Sequence, residues 1–156
     1  MRFLGRLRPE LIRVGVPWRT FDATVTGLVE VLAEAGELPA GAPGDAVRAI
    51  VAREAEASTA LLEIHVGVPH ARLSGLGQPV VSLAASAAGL YEPVPTVPIH
   101  IVALVLSPTN ATTTHLETLA EVATLLRSGP LRAGLLAARD GTDALAALHA
   151  HARAMP

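Results

Sequence analysis

The stretch Val66–Ser74, VGVPHARLS, sets an imidazole, His70, directly after Pro69 and two residues before Arg72. An imidazole beside a guanidinium suits an anionic substrate. Neutral histidine nitrogen is a phosphoryl acceptor near neutral pH, and the arginine fork matches phosphate oxygens. Two further motifs extend that chemistry: Arg53-Glu54 precedes Ser58-Thr59 in REAEAST, and His115 follows Thr114 in TTTHLE. Thr114-x-x-Glu117 reads as a capping box, with Thr114 the N-cap and His115 the first helical residue. A helix N-terminus offers free N–H groups and a positive dipole end to an anion, and the same field keeps a nearby imidazole neutral. An arginine, two imidazoles and a helix N-terminus together make a candidate phosphoryl site. Arg72 either adds positive potential to it or is simply solvated.

The other histidines invite blander readings. His149 and His151 fall near the end of an Ala-rich helix, where an imidazole is favoured by the negative end of the dipole. His100 sits inside an apolar run, as a core or edge residue. A metal reading would need His65, His70 and His115 to converge. His65 and His70 are five apart on one expected strand and so face opposite ways, leaving two ligands. No metal and no cofactor is expected.

Composition narrows the classes. Of 156 residues, 51% are hydrophobic and 17% charged, which calls for a packed fold of one-domain size. Aromatics are 3%, so the core must be aliphatic. There is no cysteine, which removes disulfides, thiol catalysis and cysteine metal sites. All twelve basic residues are Arg, net charge is −2, and no basic run exists, so nucleic-acid binding is not expected. The longest apolar run, Val97–Leu106, is too short to span a bilayer, and the Arg-interrupted N-terminus lacks a secretory signal. A cytoplasmic protein without membrane insertion is expected.

The elements that must position these groups alternate. Leu11–Val16 reads as a strand. Thr20-Phe21-Asp22 caps a helix to about Ala35, with Val25, Leu28, Val29 and Leu32 on one face. Gly36–Gly44 is a Pro/Gly loop, and Asp45 opens a helix to about Ala57. Strands follow at Leu61–Val68, Val80–Ala85 and Ile99–Leu106. Helices return at Thr114–Leu126, Leu131–Ala138 and Thr142 to about Arg153. The interleaving predicts a layered α/β domain, and the short link from Val80–Ala85 to Ile99–Leu106 permits antiparallel pairing, hence a mixed sheet.

REAEASTALLEIHVGVPHAR resembles the active-histidine segment of type-2 EIIA domains of the bacterial phosphotransferase system, the fructose/mannitol class that includes nitrogen-regulatory EIIA proteins. Arg53-Glu54, Ser58-Thr59 and Pro69-His70 stand in the family's order. QPVVSLAAS resembles its next strand, and IVALVLSPTNATTTHLETLAEVATLL its strand, Ser-Pro loop and His-Leu helix. The resemblance covers about residues 11–152 of one domain, 1–156. It implies a three-layer α/β sandwich, a mixed central sheet flanked by helices, as in mannitol EIIA. It also implies that His70 takes a phosphoryl group from an HPr-type phosphocarrier, making the chain the carrier component of a phosphotransferase. His115 and Arg53 then support the site, and Thr59 and Thr114 stand near the phosphoryl oxygens. The phosphate would pass to an EIIB domain in sugar transport or serve as a regulatory signal. One departure is plain: the family's glycine-rich turn is replaced by Ala60-Leu61-Leu62-Glu63-Ile64-His65. The rival reading is therefore an unphosphorylated EIIA-like module that binds a transporter or kinase.

Overall fold

One six-stranded sheet organises the computed structural model, which describes residues 1–156. Its strands are β1 (Ile12–Val14), β2 (Ala60–Leu61), β3 (Val66–Gly67), β4 (His70–Arg72), β5 (Val80–Ala85) and β6 (Ile101–Ser107). The helices are α1 (Phe21–Glu34), α2 (Ala42–Glu56), α3 (Thr112–Leu126), α4 (Gly129–Ala137) and α5 (Gly141–Ala154). The strand order is β1-β5-β6-β3-β2, with β4 also paired to β6. β5 and β6 run antiparallel from Val80 opposite Leu106 to Ala85 opposite Ile101, as the short link between them predicts. β1 is parallel to β5, and β3 and β4 are parallel to β6. The sheet is therefore mixed.

Every residue of β5 and β6 is buried, so both faces of the sheet are covered. α1 and α2 pack together against β5 and β4; α3, α4 and α5 form the second group, against β6 and β1. The result is the expected three-layer sandwich. Its core of 37 buried apolar residues contains only two aromatics, Phe3 and Tyr91. Thr20 caps α1 as expected, its hydroxyl accepting from the Ala23 N–H at 3.0 Å.

Three local expectations are corrected. α2 starts at Ala42, not Asp45, behind Gly41 at φ 78°. Pro43 fits its first turn because that N–H has no helical partner. The expected strand Leu61–Val68 is broken. β2 gives way to a 3-10 turn at Leu62–Ile64, and the chain reverses at His65 before β3 pairs back antiparallel on β2. His65 takes φ 57°, the left-handed conformation that glycine adopts freely. It is pinned there because its carbonyl accepts from the His100 N–H at 2.9 Å and its ring Nδ1 donates to the Pro98 carbonyl at 2.8 Å. Finally, the pairing does not stop at Val68, where the expected strand ended. The Val66–Ile101 and His70–Val105 pairings share one register, so β3 and β4 are one path along β6. Pro69 interrupts it because it has no N–H for the ladder, while its carbonyl still accepts from Val105 at 3.1 Å.

Candidate functional site

His70 opens β4 immediately beyond the proline break and is half-buried. Its Nδ1 lies 2.8 Å from the Val68 carbonyl. A carbonyl only accepts, so Nδ1 carries the proton and Nε2 is left with its lone pair. Burial lowers the His70 pKa below the ordinary 6.5, opposed by the Val68 hydrogen bond, then lowered again by Arg53 and raised by Glu54. The ring is therefore neutral at pH 7, with a nucleophilic Nε2.

The His115 ring stands 5.3 Å from the His70 ring, centroid to centroid, tilted by 57°. It belongs to α3 and is 5% exposed. Burial first, then the positive charges of His70, Arg72 and Arg53, push its pKa down to about 4. Its Nδ1 lies 2.6 Å from Oγ of Ser107, a fully buried residue that ends β6. β6 and α3 are joined by a short Ser-Pro loop, so strand end and helix start are fixed together. The capping box is corrected here. α3 begins at Thr112 behind Ala111, and no side chain caps it. His115 is already in the helix, its N–H bonded to the Ala111 carbonyl at 2.9 Å. Glu117 instead pairs with Arg2.

The structure sorts the remaining candidates. Arg53, near the end of α2, is close enough to act on both imidazoles, and its Nη1 donates to the Ala57 carbonyl at 3.3 Å. Arg72 Nη1 donates to the Thr112 hydroxyl at 2.9 Å. Neither arginine pairs with a carboxylate, which leaves both guanidinium charges for an incoming anion. Thr59 gives its N–H and its hydroxyl to Glu54, at 2.8 and 2.6 Å. The Thr114 side chain makes no hydrogen bond to either imidazole; its carbonyl accepts the Thr118 hydroxyl at 2.7 Å. Glu63 is exposed, and His65 faces His100 at a ring separation of 5.8 Å, so neither joins His70 and His115. No three His, Asp or Glu side chains are grouped to hold a metal. Sequence reasoning gave no role to Ser107, Thr112 or the Glu54 carboxylate, although Ser107 lies in the Ser-Pro motif and Glu54 stands beside Arg53.

The mixed α/β sandwich thus sets two imidazoles, His70 and His115, side by side where a strand meets a helix. The fold matches nitrogen regulatory protein IIA-Ntr from Neisseria meningitidis with a TM-score of 0.79 and 23% identity, over 93% of this chain and 97% of that one. It matches IIA mannitol, solved in a complex with phosphorylated enzyme IIB mannitol from Escherichia coli, with a TM-score of 0.73 and 18% identity, over 92% and 97%. The chain belongs to the family "Phosphoenolpyruvate-dependent sugar phosphotransferase system, EIIA 2", whose model matches residues 7–151. It is 29% identical over 147 residues to the fructose-specific EIIABC component of Bacillus subtilis, covering 93% of this chain and 22% of that relative's length. It is 28% identical over 132 residues to the fructose-specific EIIA component of Haloferax volcanii, covering 84% of each. No helix is long and apolar enough to cross a membrane.

Proposed function

We propose that the chain is a phosphohistidine carrier whose acceptor atom is His70 Nε2. The observation that carries this is the Nδ1–Val68 carbonyl bond, which fixes the tautomer and leaves Nε2 as the free nucleophile. The Nε2 lone pair attacks the phosphorus of a phosphohistidine on an HPr-type carrier. The new N–P bond forms as the donor's N–P bond breaks, and that electron pair returns to the donor imidazole. No proton has to move, because the His70 ring becomes an imidazolium whose Nδ1–H stays on the Val68 carbonyl. That positive ring is also a good leaving group, so the phosphoryl group can be handed on.

Charge stabilisation is the remaining requirement. Arg53 and Arg72 supply it, and His115, kept neutral with Nδ1 accepting from the Ser107 hydroxyl, donates its Nε2–H to the phosphoryl group without adding a like charge to His70. Thr59, in the loop between α2 and β2, and Thr114, on α3, are the hydroxyls this reading assigns to the phosphoryl oxygens. The reading extends to an EIIB domain as acceptor, or to a regulated transporter or kinase that senses the phosphorylated state, in the cytoplasm.

The test is intact mass after incubation with phosphoenolpyruvate, enzyme I and the HPr-type carrier, on wild type and His70→Ala. An acid-labile gain of one phosphoryl mass in wild type alone is expected. No gain, with the carrier itself phosphorylated, leaves the binding-module reading in its place.

A further inference from the structure

Glu54 has no cationic partner. Its two oxygens are instead spent on Thr59, one on the N–H and one on the hydroxyl. Thr59 adjoins the turn that presents His70, its carbonyl accepting from the Val68 N–H at 3.3 Å, and the carrier reading assigns its donors to the phosphoryl oxygens. Glu54 is also the one carboxylate whose charge reaches both His70 and Tyr91. Tyr91 is 5% exposed, and its buried hydroxyl has no hydrogen-bond partner. A buried donor left unpaired is costly and calls for an explanation. Glu54 and Tyr91 line the same cavity of about 730 Å³, together with Phe21, Val51, Ser58 and Leu90.

We propose that Glu54 is a two-position carboxylate. It holds Thr59 while His70 is bare, and passes to the Tyr91 hydroxyl when His70 carries a phosphoryl group, leaving the Thr59 donors to the phosphoryl oxygens. The inference rests on the carrier reading of His70. The driving force is charge: a phosphoryl dianion repels the carboxylate and is the stronger acceptor for the Thr59 hydroxyl. Glu54 is thus a positioning residue, and Tyr91 is the partner that receives it.

The pairing predicts effects of opposite sign. At a fixed ratio of phosphorylated to free carrier, Glu54→Gln removes the repulsion and raises the equilibrium phosphorylation of His70 by about threefold. Tyr91→Phe strands the carboxylate beside the phosphoryl group and lowers it by about threefold. In the double variant the Tyr91→Phe effect disappears, because no charge is left to relocate. A merely structural role gives losses of the same sign that add, and that result overturns the inference while leaving His70 a carrier. Wild type needs no variant for a second readout. Tyr91 is the only tyrosine, so tyrosine labelled with carbon-13 at Cζ gives one resonance. It should move when His70 is phosphorylated and stay fixed in His70→Ala treated identically. An unmoved resonance in phosphorylated wild type also overturns the inference. Wild type that accepts no phosphoryl group overturns both this and the carrier reading.

Discussion

At His70, nucleophilicity is a matter of which nitrogen holds the proton, and the Val68 carbonyl decides it. The rate of phosphoryl acceptance should fall to half its maximum only below pH 6.5, since burial lowers the His70 pKa. Stopped-flow phosphorylation across that range checks it; a half-maximum above 6.5 refutes the neutral-ring account. His115 makes a separate prediction, about stability. Its folded pKa of about 4 lies below the unfolded 6.5, so between these values the unfolded chain binds a proton that the folded chain does not. Stability contributed by the neutral ring is therefore intact above pH 6.5 and lost as pH falls toward 4. At about 1.4 kcal/mol per unit, the loss is about 3 kcal/mol. Urea midpoints from pH 7 to pH 4 should fall less steeply for His115→Asn than for wild type. Equal slopes would mean that the ring protonates without penalty. Both histidines were legible from residue type and spacing, but the tautomer was not. It depends on a carbonyl two residues back being turned toward the ring by the proline break.

Among the elements, the β2–β3 hairpin carries the constraint that sequence patterning hid. Leu61–Val68 has the composition of one strand, and only its backbone demands reveal the reversal at His65. A Cβ on Gly67 would lie 2.2 Å from the Tyr91 hydroxyl oxygen, so β3 must carry glycine where that hydroxyl crosses it. Gly67→Ala is expected to destabilise the fold by about 1–3 kcal/mol through overpacking. Tyr91→Phe in the same chain should recover part of this, because the ring carbon behind the oxygen stands 3.3 Å from the same point. Thermal unfolding of the two single variants and the double measures the recovery; strict additivity would place the strain elsewhere. The α3 start was misread for a related reason. Thr114-x-x-Glu117 satisfies a local capping rule, yet Glu117 is taken by Arg2 from the far end of the chain. The loop after β6 starts the helix three residues earlier. Where local signal and tertiary demand agreed, as at Thr20, the element came out as read.

Across the whole molecule, the expected core, about residues 11–152, leaves out a segment that the fold uses. Phe3 is fully buried, and Leu4 and Leu7 are nearly so. Three N–H groups, of Arg2, Phe3 and Leu4, converge on the Glu121 carboxylate of α3 at 2.6, 2.9 and 2.8 Å. The carboxylate acts as an external cap on the turn Leu4–Arg6, which has no cap of its own. Sequence patterning could not show this, because donor and acceptor stand more than a hundred residues apart and a Glu on an exposed helix face looks solvated. Glu121→Ala removes the only acceptor for all three donors and loosens Phe3 from the core. Charge-assisted bonds of this kind are worth about 1.5–3 kcal/mol each, but the freed N–H groups regain water. The net loss is therefore about 2–3 kcal/mol, smaller than the sum of the bonds. It should appear as a lower unfolding midpoint and as faster hydrogen exchange at Phe3 and Leu4. His70 phosphorylation, at the other end of the β6–α3 junction, should keep its rate while the fold persists. Loss of phosphorylation in a folded Glu121→Ala variant would mean instead that α3 carries the strain of that anchor to His115.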